Sequence, residues 1–186
     1  MKNTHLFLLG LLVLLGSACQ EAPTELPTAA TPTTTFDEAQ ALADIMTVIE
    51  AETKCFFERD YDCWKNYWIH EAYAFQAWNN SNGSFDAAVG WEQIHAQGKD
   101  YIETIPEGQT PTSHPVVKRG KVEAKFYSET LAYLLWKQYN SDRKNEYFTP
   151  SQEVRLMEKQ GDNWKIVNVS AFWDYTNKIP VDSLKI

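Results

Sequence analysis

Glu52 and His70 are the two side chains in this sequence best suited to moving a proton. Glu52 lies in a stretch with helical spacing. If that helix buries it, the loss of water disfavours the charged carboxylate and leaves a group able to act as general acid or base. The plainer alternative is a glutamate in water at a pocket rim, or one paired with a lysine. His70 stands beside Glu71 in WIHEAY, just ahead of a strand, where capping that strand is the competing role. His95 follows Trp91 by one helical turn and reads as a surface or groove histidine. No Ser/His/Asp set and no glycine-rich phosphate loop can be picked out, and the four histidines show no metal-ligand spacing. No metal and no cofactor are expected.

Polar groups of a second kind lie in NWKIVNVSAFW, residues 163–173. Strand side chains alternate sides, so Trp164, Ile166, Asn168, Ser170 and Phe172 are expected on one face. Lys165, Val167, Val169, Ala171 and Trp173 then share the other. Both faces are apolar, which an antiparallel strand with one wet face should not be. One face also places an amide and a hydroxyl where a dry core wants neither.

These residues need elements to hold them. Ala41, Ile45, Val48 and Ile49 recur at helical spacing and predict a helix over 37–58; a short helix over 61–67 and a third over 90–104 follow. Strands are expected at 72–78, after which NNSNGS turns, then at 121–127, 130–139, 151–159 and 163–173. Helices first and antiparallel strands afterwards predict an α+β domain in which a curved sheet wraps its own helices. Cys55 and Cys63 flank ERDYD, symmetric about Arg59, at a turn between two helices. A disulfide is expected if the chain is exported; the alternative is two half-buried small residues.

Export is what the first residues suggest. MKNTHLFLLGLLVLLGSAC has one early lysine, an apolar run too short to span a bilayer, and small residues ahead of Cys19. GSAC resembles a bacterial lipobox, which makes Cys19 the expected site of lipidation; plain secretion is the alternative. Residues 20–35 are rich in Pro and Thr, without apolar periodicity, and read as a tether. The expected division is a signal over 1–18, anchor and tether over 19–35, a folded domain over 36–175 and a tail over 176–186. The formal net charge is -8, and an acidic surface of this kind excludes nucleic acid and anionic lipid faces as partners.

Three stretches together resemble the nuclear transport factor 2-like superfamily, which includes ketosteroid isomerase, scytalone dehydratase and SnoaL-like cyclases. They are RDYDCWKNYWIHEAYAFQ, GWEQI and EVRLMEKQGDNWKIV, and the likeness covers residues 37–175. It implies a cone enclosing one apolar pocket. Laid against ketosteroid isomerase, Gln76 falls where that enzyme has its aspartate base, Glu52 at its helix-borne tyrosine and Gln152 at its protonated aspartate. An amide has no useful basicity near neutral pH, so isomerase chemistry is not expected.

The same register implies a pocket lined by Gln76, Trp78, Leu134, Trp136, Gln152, Asn168, Ser170 and Phe172, with Val154, Leu156 and Ile166 also inward. The alternative is a filled core in which the amides bond one another. Val167, Val169, Ala171 and Trp173 would then face outward with Leu131, Tyr133, Leu135, Tyr73 and Phe75. A homodimer is expected through that face with Trp173 near its centre, unless the C-terminal tail covers it. The expected function is binding of a small apolar or aromatic molecule without catalysis. The alternative is a SnoaL-like or dehydratase-like enzyme using Glu52 or His70 on a polycyclic or aromatic substrate.

Overall fold

The structure is a computed structural model that describes residues 35–104 and 116–186. Cys19 and the expected signal and tether lie outside the described residues, apart from Thr35. Helix α1 (Glu38–Phe57) opens on Asp37, whose carboxylate accepts from the Ala39 and Gln40 amides, both at 3.0 Å. Those are two of the donors a helix start leaves unsatisfied. Ala41, Ile45 and Ile49, four residues apart, form its buried stripe.

Arg59 turns the chain in the left-handed region, at φ 61°, and Asp60 caps α2 (Tyr61–Lys65) by accepting from the Cys63 amide at 2.8 Å. A disulfide joins Cys55 to Cys63 across this corner, with Cα atoms 5.7 Å apart. Strands β1 (Phe75–Asn79) and β2 (Phe85–Val89) form a hairpin ahead of α3 (Trp91–Thr104). Gly98 of α3 lies against the Trp64 ring so closely that a Cβ would stand 2.4 Å from Cη2. Only glycine lets these helices meet there.

The remaining strands are β3 (Val117–Arg119), β4 (Glu123–Ser128), β5 (Leu131–Ser141), β6 (Tyr147–Gln160), β7 (Asn163–Trp173) and β8 (Ile179–Pro180). They form one mixed, curved sheet in the order β2-β1-β7-β6-β5-β3, with β4 beside β3 on the β5 edge. The pairing of β1 with β7 is parallel, and the other pairings between named strands are antiparallel. The architecture is α+β, and the helices pack on the concave face. Strands β2, β3 and β8 were not anticipated from sequence; β3 and β8 are three and two residues long, too short for alternation to register.

The tail does not cover the outer face of β7. It runs on as β8, paired with Tyr147 and Phe148 at the start of β6.

Strand β7 carries the feature that explains its two apolar faces. Met157 pairs with Ile166 and Leu156 with Asn168, so Val167 is an extra residue without a partner on β6, a β-bulge. Side chains before it keep one phase and those after it the other. Trp164 and Ile166 face the helices; beyond the bulge Val169, Ala171 and Trp173 do so, while Asn168, Ser170 and Phe172 point away. Ile166 and Val167, neighbours in sequence, are both buried, and Phe172 is 59% exposed.

Candidate functional site

Strand register lines the inner face with side chains in rows. One row runs Gln76, Val169, Arg155, Leu134 across β1, β7, β6 and β5; the next runs Trp78, Ala171, Glu153, Trp136. A third runs Trp173, Ser151, Gln138, Arg119. Strands lie roughly 4.8 Å apart and successive rows roughly 7 Å apart, within reach of arginine and tryptophan side chains. The row on the other side, Ile166, Met157, Ala132 and Phe126, is wholly apolar.

A chain of hydrogen bonds crosses the polar rows. Trp136 Nε1 donates to Gln138 Oε1 at 3.2 Å, and Gln138 Nε2 to Asn140 Oδ1 at 2.9 Å. Asn140 Nδ2 donates to Ser151 Oγ at 3.2 Å, and that hydroxyl to Glu153 Oε1 at 2.6 Å. Glu153 Oε2 lies 2.9 Å from Arg155 Nη1, and the Arg155 guanidinium stands 5.2 Å from the centre of the Trp136 ring, where the chain began. Both members of the ion pair are buried. Charges taken this far from water persist only when paired and hydrogen-bonded.

Glu52, on the concave side of α1, faces this network. Its Oε1 accepts from Trp64 Nε1 at 2.7 Å and from Trp68 Nε1 at 3.4 Å. Burial pushes its carboxyl above the usual carboxylate range; Arg155, the two indoles and Arg119 pull the other way. The carboxylate lies deep among protein atoms, while the residue as a whole is half-buried. Arg119 crosses from β3 to α1, where Nη2 donates to Thr53 Oγ1 at 3.3 Å and Nη1 lies 3.9 Å from the exposed Glu50 carboxylate. Burial, and then the neighbouring Arg155, lower its affinity for its proton against the pull of Glu50.

Three polar atoms on these rows are buried without a hydrogen-bond partner among the described residues: Gln76 Oε1, Arg119 Nε and Arg155 Nε. Gln76, Trp78, Val169 and Trp173 are half-buried, whereas Leu134, Trp136, Glu153 and Arg155 in the same rows on β5 and β6 are buried. The inner face is therefore more accessible at these four positions of β1 and β7 than on β5 and β6.

Of the residues expected in the pocket, Gln76, Trp78, Leu134 and Trp136 lie on the inner face. Asn168, Ser170 and Phe172 do not, because the Val167 bulge turns them outward; Asn168 Nδ2 donates to Ser170 Oγ there at 3.1 Å. Gln152 is also outward and exposed, donating to the Trp136 carbonyl at 2.9 Å; Val154 and Leu156 share its face. On β6 the inner side belongs to Ser151, Glu153, Arg155 and Met157.

Trp173, expected outside, is on the inner face and stacks on Tyr175 with centroids 6.0 Å apart. His70 is exposed, stacked at 4.0 Å on Trp91, with Nε2 2.9 Å from the Lys65 carbonyl. Sequence reasoning missed Arg119, Gln138, Ser151, Glu153 and Arg155. The available signal was Glu153 and Arg155 two residues apart, opposite charges on one strand face.

Away from these rows, Arg59, Asp60, Tyr61, Asp62, Lys65, His95, Lys99 and Glu103 line an open cleft of about 610 Å³. Its cations are already engaged: Lys65 with Asp62 at 2.5 Å, Lys99 with Glu103 at 3.8 Å, and Arg59 with the Ile102 and Glu103 carbonyls. His95 Nδ1 is bonded to the Tyr61 hydroxyl. The unmatched groups lie in the cone, and the candidate site is placed there. Among the described residues no cluster of three or more His, Cys, Asp or Glu could hold a metal ion, and no helix is long and apolar enough to cross a membrane.

No protein-family model and no curated protein matches the sequence. Solved structures do match in fold. A nuclear transport factor 2-like protein of unknown function from Shewanella oneidensis is 16% identical, with a TM-score of 0.54 over 71% of this chain and 98% of its own. Another such protein, from Pseudomonas putida, is 14% identical, at 0.54 over 79% and 97%. A protein named as a candidate scytalone dehydratase, from Novosphingobium aromaticivorans, is 11% identical, at 0.54 over 79% and 89%. The fold is the nuclear transport factor 2-like fold, also described as cystatin-like. At these identities the likeness speaks for the fold and leaves function to the site.

Proposed function

We propose that this chain is an exported, membrane-tethered binding protein whose cone interior takes a small molecule with a planar apolar body. The observation that carries the reading is the set of three buried polar atoms, Gln76 Oε1, Arg119 Nε and Arg155 Nε, that find no partner among the described residues around Glu52. A buried polar group left unpaired costs about 1–3 kcal/mol, and folded proteins rarely tolerate several in one place. A ligand entering past Gln76 and Trp78 would supply partners, and the half-buried Trp78 and Trp173 offer planar walls. Binding is favoured over catalysis because Gln76 is no base, His70 is exposed on the outside, and the other carboxylate of the interior, Glu153, is already paired with Arg155.

The test is a thermal-shift screen of small aromatic compounds against the purified chain and against Gln76→Leu. Binding raises the melting temperature by mass action. A hit whose shift shrinks in the variant supports the reading. If no compound shifts the wild type at millimolar concentration while Gln76→Leu melts higher, the interior is a packed core and the reading fails.

The enzymatic alternative rests on one observation, the Glu52 carboxyl raised by burial. It predicts turnover of a hit compound that Glu52→Gln abolishes while binding persists. Outside the cone, Tyr73, Phe85, Val89 and Phe172 are exposed beside half-buried Phe75, Leu135, Val154 and Leu156. A second copy pairing through that face would cover them. Sedimentation of wild type against Leu156→Lys at tens of micromolar, about the range where such interfaces hold, checks it: a wild type that stays monomeric counts against the dimer.

A further inference from the structure

Four charged side chains act on one another inside the cone: Glu52, Arg119, Glu153 and Arg155. Glu153 and Arg155 form a direct pair at 2.9 Å. Glu52 takes its hydrogen bonds from two indoles rather than from a guanidinium. Arg119 has only an exposed glutamate at 3.9 Å, a weak counter-charge in water, and it lies in the repulsive field of Arg155. Arg119 is thus the arginine of the two whose counter-charge is distant and solvated.

Donor chemistry points the same way. Arg155 uses Nη1 for both Glu153 and the Val154 carbonyl, while its Nε–H is buried without a partner among the described residues, as is that of Arg119. The edge of a guanidinium that includes Nε matches the two oxygens of a carboxylate. A dianion such as phosphate would bring a second charge with no cation left to meet it. The tryptophans on the polar rows suit a flat, apolar body.

Building on the binding role proposed above, we infer that the ligand is a small aromatic monocarboxylic acid, its carboxylate held by the Nε edges of Arg119 and Arg155. Gln76 Oε1, on the same row as Arg155, accepts from a hydroxyl or N–H elsewhere on the ligand.

The experiment uses phenylacetate, benzoate and indole-3-acetate, each beside its neutral amide, with calorimetry on the purified chain at neutral pH. At least one acid is expected to bind about ten-fold or more tighter than its amide, since a charge-assisted hydrogen bond outweighs a neutral one. Arg119→Gln should erase that preference, with circular dichroism confirming an unchanged fold. Amides that bind as well as their acids would overturn the inference and leave the binding role standing. A chain that binds none of the six, while unrelated neutral aromatics shift its melting temperature, also overturns it. If nothing binds by either method, both readings fall.

Discussion

The two ends of the cone share the long strands β5, β6 and β7 and are filled in opposite ways. At one end Ile166, Met157, Ala132 and Phe126 meet Trp164 and Trp68 in an apolar packing with no polar side chain on the row. Two rows further along the sheet lies Glu153, and on the row beyond it Ser151, Gln138 and Arg119, among the least expected residues for a protein interior. The apolar end stabilises the fold through area removed from water. The polar end offers little of that, and its side chains are held instead by hydrogen bonds and an ion pair.

Three changes test this division. The largest effect is expected at the buried ion pair. Glu153→Leu should cost about 3–5 kcal/mol, because it strands the Arg155 charge, whereas adding Arg155→Leu should restore most of the loss. Denaturant melts of both variants read it. A double variant as unstable as the single would make the polar end a structural core after all.

At the apolar side, Gly98→Ala drives a methyl into the Trp64 ring and should cost about 1–3 kcal/mol by overpacking, read by the same melts. A neutral result would mean that α3 can shift away from Trp64.

The smallest effect concerns Glu52. Its carboxyl is raised, so the folded chain holds that proton more tightly than the unfolded chain does. Stability from this group is then present at low pH and lost as pH rises through the raised value. Glutamine keeps an oxygen for Trp64 and Trp68 and has no charge to bury. Glu52→Gln should therefore melt a few degrees higher at pH 8, and the difference should vanish towards pH 4. Arg155 and Glu153 on β6, Arg119 on β3 and Glu50 on α1 set the local field. A variant that melts lower at pH 8 would mean that the arginines hold Glu52 ionised.

The fold was legible because long, punctuated elements such as α1, α3 and β5 carry their period over many residues. On β5 the alternation of Ala132, Leu134 and Trp136 matches the inner face residue for residue. The site was half legible. On β6 the hydrophobic rule puts Val154 and Leu156 inside, yet Glu153 and Arg155 are there, because the interior is polar and the outer face carries apolar groups. Local rules fail where a functional interior overrides them. On β7 the failure was of phase: strict alternation cannot survive Val167, and no residue type at that position announces a bulge.

That bulge also fixes how this protein can change over generations. Beyond Val167 the inner set Val169, Ala171 and Trp173 and the outer set Asn168, Ser170 and Phe172 hold their sides through regular pairing with β6. Point mutations alter members of either set but cannot exchange the sets. An in-frame loss of the Val167 codon would remove the bulge and exchange nothing, since Ile166 already pairs with Met157 and Asn168 with Leu156. The lining of the cone and the outer surface of its last long strand can thus survive the loss of that one codon, and only a one-residue slip of the strand against β6 would exchange them.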